Sequence, residues 1–267
     1  MKAVPIDVER RGPLGVIRLN RPERANTITL QMTIDFNDAL DELDADEGVL
    51  CILITGAGEK NFCGGADLRE IQDLISPDGV TGDRRRDFIR HIEDISKPVI
   101  AAINGAAMGG GCEIALACDF RLMADSAQVG LPEIRFGALP AGGGTQRLPR
   151  LVGLAKAKEI ILLGRTLTAD QALACGLVDR IAPAADLMDM AYGLAAELSE
   201  LAPYALAAGK RLLNAAFELP LAEGLILERQ TIHNMATDKK RESFRSRSMQ
   251  KSSVYKNIFS PSEIVSQ

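Results

Sequence analysis

Apolar residues fall in two registers along the chain. Val49-Leu50-Cys51-Ile52-Leu53-Ile54 and Pro98-Val99-Ile100-Ala101-Ala102-Ile103 are unbroken apolar runs, closed by Gly56-Ala57-Gly58 and by Asn104-Gly105. Such runs suit strands covered on both faces, as in parallel sheets. Gly15-Val16-Ile17-Arg18-Leu19 reads as another strand, ended by Asn20-Arg21-Pro22, and residues 120–123 and 127–130 as short ones. Elsewhere the period lengthens. Met32, Phe36, Leu40 and Leu43 recur at helical spacing, with Thr29 placed to cap a helix reaching about Leu43. Further helices are expected from about Asp67, up to about Ile95 and over 112–118, with loops at 60–66 and at the polar segment 76–86. Strands alternating with helices indicate an α/β fold with mostly parallel pairing.

After about Gly153 the pattern turns helical, over 155–164 and 168–175 and within 186–201, 204–217 and 221–235. Residues 178–181 are the one strand-like exception. The chain is therefore divided into an α/β body, 1–195, and a C-terminal helical region, 196–267. No internal repeat stands out.

Composition narrows the chemistry. With 267 residues, 46% of them hydrophobic, the chain can bury one sizeable core. A formal net charge of −5 gives no bulk basic field for nucleic acid. The uncharged stretch 98–112 is too short and glycine-rich to span a bilayer. Residues 1–10 carry Lys2, Asp7, Glu9 and Arg10 and no apolar targeting segment, so a cytoplasmic protein without membrane partners is expected. The five cysteines form no C-x-x-C pair and read as reduced and mostly buried. The two histidines, His91 and His233, lack metal-ligand spacing, so no metal is expected. There is no G-x-S-x-G elbow and no Walker A sequence. Neither Gly109-Gly110-Gly111 nor Gly142-Gly143-Gly144 completes a dinucleotide fingerprint. Any catalysis falls to carboxylates and backbone amides.

Two stretches offer both. One is Asn61-Phe62-Cys63-Gly64-Gly65-Ala66-Asp67-Leu68. The other runs from Asn104 through Gly109-Gly110-Gly111-Cys112-Glu113, and on through Gly130-Leu131-Pro132-Glu133 to Pro140-Ala141-Gly142-Gly143-Gly144-Thr145. Each begins as a glycine-rich turn that opens an expected helix. Helix N-termini expose unpaired N–H groups with partial positive charge, and glycine lets a substrate oxygen approach them. Glu113 lies one turn inside the second helix, and Glu133 follows a short strand. Taken singly, each glutamate is most simply a helix-dipole partner or a surface turn. Held near one oxyanion site, the pair suits acid–base work, one activating water and the other donating a proton to carbon.

The ordered set resembles the crotonase superfamily, and within it the enoyl-CoA hydratases. The resemblance begins at Asn20-Arg21-Pro22-Glu23, is densest from Lys97-Pro98-Val99-Ile100-Ala101 to Thr145-Gln146-Arg147-Leu148, and continues through Ala172-Leu173-Ala174-Cys175-Gly176-Leu177-Val178. It implies a ββα superhelix with a C-terminal helical trimerisation region. It further implies an oxyanion hole from the N–H groups of Ala66 and Gly110, water activation by Glu113 and protonation of the α-carbon by Glu133. Asp67, Leu68 and Arg69 match the coenzyme A channel, and Arg24 and Ala25 a turn bordering its nucleotide end. Gly111 and Ala141 match further substrate-lining positions, Ala141 standing where relatives commonly carry Gly. The segment Arg247-Ser248-Met249-Gln250-Lys251 also departs from the pattern.

The resemblance implies an acyl-CoA thioester substrate and no separate cofactor, coenzyme A being part of the substrate. It also implies a homotrimer or a hexamer built as a dimer of trimers. The implied reaction is reversible hydration of a trans-2-enoyl-CoA to a 3-hydroxyacyl-CoA. The competing readings are an enoyl-CoA isomerase, a hydratase of a cyclic or aromatic-pathway acyl-CoA whose pocket is shaped by residues 71–92, and a non-catalytic CoA-binding scaffold.

Overall fold

The computed structural model describes residues 4–67, 69–70 and 87–236. Leu68, the expected loop at 76–86, most of the expected pocket segment 71–92 and the segment 247–251 lie outside the described residues. Strands β1 (Ile6–Arg11) and β2 (Leu14–Leu19) form an antiparallel hairpin. A 3₁₀ turn, Pro22–Arg24, precedes helix α1 (Leu30–Ala45). Then come β3 (Cys51–Gly56), β4 (Asn61–Cys63), α2 (Phe88–Asp94), β5 (Val99–Ile103), β6 (Ala106–Met108) and α3 (Gly110–Ala117). Strands β7 (Phe120–Ala124) and β8 (Gln128–Gly130) lead to a 3₁₀ turn, Glu133–Phe136. Helices α4 (Gly144–Val152) and α5 (Leu154–Leu162), strand β9 (Thr166–Thr168), helix α6 (Ala169–Ala174), strand β10 (Arg180–Ala182) and helix α7 (Leu187–Ser199) follow. Helices α8 (Pro203–Ala215) and α9 (Leu221–Ala236) complete the described chain.

The strands form two sheets. One has the order β1-β2-β3-β5-β7-β10 and the other β4-β6-β8-β9. Beyond the first hairpin the large sheet is parallel throughout, and in the small sheet only β8–β9 is antiparallel. From β3 onward the path repeats: a long strand joins the large sheet, and the short strand after it joins the small one. The pairs β3/β4, β5/β6 and β7/β8 are three such steps, and β6 leads directly into α3. This is the ββα progression expected above.

The centre of the large sheet explains its apolar runs. Every residue of β3 and β5 is buried, with Ile52, Leu53, Ile54, Ile100 and Ile103 at 0% exposure. Each such side chain contributes about 1.5–3 kcal/mol by leaving water. Where β3 and β5 end, the Asn104 amide donates to the carbonyls of Gly56 and Gly58 and accepts from the Gly56 N–H, so both strand ends turn together. Thr29 caps α1 as expected, its hydroxyl accepting from the Met32 N–H at 3.2 Å. The other end of α1 has no basic residue of its own. Lys97 supplies one from the chain before β5, donating to the carbonyls of Leu43 and Asp46.

Several elements differ from expectation. Strand β1 was not foreseen because only Ile6 of its six residues is buried, so no apolar stripe marks it. Strands β4, β6 and β9 have three residues each, too few to show a period. Helix α3 begins at Gly110, two residues before its expected start.

The described residues divide into two compact units, one ending at Pro203 and one beginning at Tyr204. In the second, Arg211 on α8 donates to the Thr231 hydroxyl on α9 at 2.9 Å, and that hydroxyl donates to the Leu227 carbonyl. All five cysteines are free thiols, four of them buried. No helix among the described residues is long and apolar enough to cross a membrane.

Candidate active site

Two backbone amides of the candidate site, those of Gly110 and Ala66, donate no hydrogen bond among the described residues. Gly109, with φ 54° and ψ −121°, turns β6 into α3, and its own N–H donates to the Gly130 carbonyl at 3.0 Å. Few residues other than glycine adopt that backbone. The next N–H, that of Gly110, opens the helix and donates no hydrogen bond among the described residues. Ala66 faces it from an extended segment bridged in parallel to Ile28. Ile28 N–H donates to the Gly65 carbonyl and Asp67 N–H to the Ile28 carbonyl, each at 2.8 Å. Successive peptide groups of an extended chain point to opposite edges, so the Ala66 N–H points away from Ile28. It too is unpaired among the described residues. A Cβ placed on Gly110 would lie 3.8 Å from the Ala66 nitrogen, and one on Gly65 would lie 3.3 Å from the Gly110 nitrogen, so the two amides are neighbours. Gly110 opens a helix, whereas Ala66 lies on an extended segment bridged to Ile28, and the helix expected after Asp67 falls largely outside the described residues.

Glu113 lies in the first turn of α3 and is 3% exposed. Its Oε1 accepts from two backbone amides, Gly142 at 2.7 Å and Gly144 at 2.8 Å. Gly144 is the first residue of α4, so a second helix N-terminus points at the carboxylate. Burial raises the pKa of Glu113 above the ordinary carboxylate range. The Gly144 and Gly142 amides and the Arg147 charge work against that rise. Oε2 accepts no hydrogen bond among the described residues.

Glu133 opens the 3₁₀ turn after β8. Its Oε1 approaches the Gly109 backbone, where a Cβ would lie 3.1 Å from it. Its Oε2 is buried and has no hydrogen-bond partner among the described residues. Burial pushes its pKa up to about 7, with the charge of Glu113 adding to the rise and its own backbone N–H opposing it. A carboxyl group poised there can hold or release a proton near neutrality.

The remaining sequence candidates fall into four settings. Ala25 and Asn26 both have positive φ, at 53° and 54°, rare for residues other than glycine. The buried Asn26 side chain pins the turn by donating to the Ala57 and Asn61 carbonyls. Ala25 accepts from the Gly64 N–H at 2.8 Å, so the turn bearing the exposed Arg24 abuts the Ala66 segment. Asp67 holds that segment from the other side. The Arg69 N–H and the Arg21 guanidinium keep its carboxyl below the ordinary range. Gly111 packs face-on against β4, where a Cβ would overlap the Cys63 carbonyl. Ala141 is exposed beside Gly142, with φ outside the positive range.

Sequence reasoning missed Glu93 and Arg147 as part of this network. Arg147 forks onto Glu93 and also donates to the Gly142 carbonyl at 2.7 Å. The only hint in the chain is an arginine one turn beyond the glycines that open α4.

Paired short and long strands wound into two sheets, with helices following, place the chain in the crotonase fold class. It belongs to the enoyl-CoA hydratase/isomerase family, whose model matches residues 9–255. A Mycobacterium bovis relative named a probable enoyl-CoA hydratase is 42% identical over 227 residues, covering 85% of this chain and 88% of its own. A short-chain-enoyl-CoA hydratase of Clostridium acetobutylicum is 36% identical, covering 83% of this chain and 85% of its own. The crystal structure of an enoyl-CoA hydratase from Bacillus anthracis superposes with a TM-score of 0.84 at 35% identity, covering 93% of this chain and 97% of that one.

Proposed function

We propose that the protein is an enoyl-CoA hydratase that adds water reversibly across the double bond of a trans-2-enoyl-CoA. The observation that carries the proposal is the difference between its two carboxyl groups. Glu113 accepts two amide hydrogen bonds, which favour its ionised form against the burial that raises its pKa. Glu133, with an unpaired buried oxygen and a pKa near 7, is suited to carry the proton. In this reading the thioester oxygen sits between the N–H groups of Ala66 and Gly110. Glu113 takes a proton from water as its oxygen bonds to the β-carbon. The electron pair of the double bond moves toward the thioester oxygen as enolate charge, which the two N–H groups hold. The Glu133 proton goes to the α-carbon. One water has then been added, and the proton of the pair has passed from Glu133 to Glu113. Exchange with solvent resets the pair. The turn carrying Arg24 and Ala25, and the backbone at 67–69, are assigned to coenzyme A.

A panel of trans-2-enoyl-CoA thioesters of increasing chain length, together with cyclic ones, tests the reading. Loss of the conjugated-thioester absorbance is expected for at least one of them. Binding without absorbance loss across the whole panel would count against it.

The pH profile of hydration follows from the same two environments. Rate requires Glu133 protonated, so kcat/KM is expected to fall as pH rises through about 7. It also requires Glu113 ionised, so a second limb falls toward acid, at a pH above the ordinary carboxylate range. A flat profile from pH 5 to 9 would remove the assignment.

A further inference from the structure

Arg147 touches the backbone that shapes Glu113 without being part of the acid–base pair. It lies one turn into α4 and reaches back over the glycines that open that helix. Nη1 donates to the Gly142 carbonyl, while Nε and Nη2 fork onto Glu93 of α2 at 2.7 and 2.5 Å. Gly142 is the residue whose N–H donates to Glu113. The path of the guanidinium is kept clear by Gly143, which has φ 99° and where a Cβ would overlap Arg147 Nη1. The three glycines therefore have separate tasks: Gly142 and Gly144 present amides, and Gly143 admits the arginine. A planar fork with several donors can hold a carboxylate and a carbonyl together, which an ammonium does poorly.

We propose that Arg147, oriented by Glu93, is a positioning residue that fixes the 142–144 backbone so that two amides converge on Glu113 Oε1 and Oε2 is left for water. This rests on the reading of Glu113 as the group that activates water. Among the described residues, the titratable and charged groups facing Glu113 are few. Arg147 acts from α4 and Glu133 from the 3₁₀ turn. Cys112 adjoins it on α3, its thiol pushed far up by burial. Glu93 of α2 and Asp87, just before that helix, act on Arg147. His91, also on α2, is turned to Asn37 and Asp41 of α1.

The test compares Arg147→Met, Arg147→Lys and Glu93→Gln in the full chain by kcat, KM, the pH profile and thermal unfolding. Arg147→Met is expected to lower kcat about 10–100-fold, as loss of an orienting partner typically does. KM should stay within about two-fold, and the acid limb should move to higher pH because the cation that favours ionised Glu113 is gone. Arg147→Lys should return the acid limb toward its parent position while recovering only part of kcat, since charge returns without the fork. Glu93→Gln should lower kcat in the same direction with the fold intact, and it decides the matter if Arg147→Met does not fold. Parent kcat and an unmoved acid limb in Glu93→Gln and any folded Arg147 variant would overturn the proposal. So would a loss of kcat that tracks thermal stability with no pH shift. Glu113→Gln separates the two levels of the argument. If it is inactive while the Arg147 variants are normal, only the positioning role fails. If it hydrates at the parent rate, the reading of Glu113 fails and the proposal with it.

Discussion

Glu133→Gln is expected to lower kcat for enoyl-CoA hydration by about 10²–10⁴-fold, the range associated with loss of a general acid. The substitution keeps the size and planarity of the side chain but removes the transferable proton. The oxyanion donors of this account are the backbone N–H groups of Ala66 and Gly110, which the substitution leaves in place, so thioester affinity should stay within about two-fold of the parent. The variant should also show a stability gain that depends on pH. Glu133 binds its proton more tightly in the folded protein, with a pKa of about 7 against 4.5 when unperturbed. Its contribution is therefore fully present below about 4.5 and is lost as pH rises through about 7. Above that range the parent carries an ionised, partly desolvated carboxylate that the glutamine lacks. The Tm of Glu133→Gln should exceed the parent's at pH 8, and the difference should shrink toward pH 5. A variant with parent-like kcat would exclude Glu133 as the proton donor, whatever its stability.

Gly111→Ala is expected to damage fold and activity together. A methyl at this position would overlap the Cys63 carbonyl, and both residues sit in backbone held by secondary structure. Relief requires α3 to move away from β4. Overpacking of this kind costs about 1–3 kcal/mol and occasionally more. The movement also carries the Gly110 N–H away from that of Ala66, and a misplacement of about 1 Å at a reacting centre can cost about 100-fold in rate. Gly193→Ala on α7 is the control. Nothing lies within 4 Å of a Cβ there, so Tm and kcat should stay at or slightly above parent values. Thermal unfolding and steady-state kinetics on the two variants read both effects. Equal behaviour of Gly111→Ala and Gly193→Ala would contradict the close packing of α3 on β4.

What was legible in the sequence follows the burial of each element. Strands β3 and β5 are covered on both faces, so their composition alone marks them. Helix α1 is covered along one stripe and capped by Thr29, so period and cap agree. Strand β1 exposes most of its side chains, and the short strands of the second sheet hold only three residues each. Their pairing is decided by neighbours distant in the chain rather than by local pattern. The site divides in the same way. Glu113, Glu133 and the glycine runs stand out as residue types, and the family resemblance put Ala66 beside them. That Ala66 lies on an extended segment bridged to Ile28 could not be read from Gly64-Gly65-Ala66. The Glu93–Arg147 fork joins residues 54 positions apart, and neither has a neighbour in sequence that announces it. Ala25 and Asn26 hold left-handed backbone without glycine because the buried Asn26 amide is bonded on both sides, a constraint visible only once β4 lies beside it.

The central claim is that water is added to an enoyl thioester, and the most direct measurement is the mass of the product. A short trans-2-enoyl-CoA is incubated with the protein in water enriched in heavy oxygen, and the acyl product is analysed. The expected product is a 3-hydroxyacyl-CoA heavier than the substrate by one labelled water, formed by the parent and nearly absent with Glu133→Gln. A product of unchanged mass with a shifted double bond, or recovery of unaltered substrate from a protein that binds it, would contradict it.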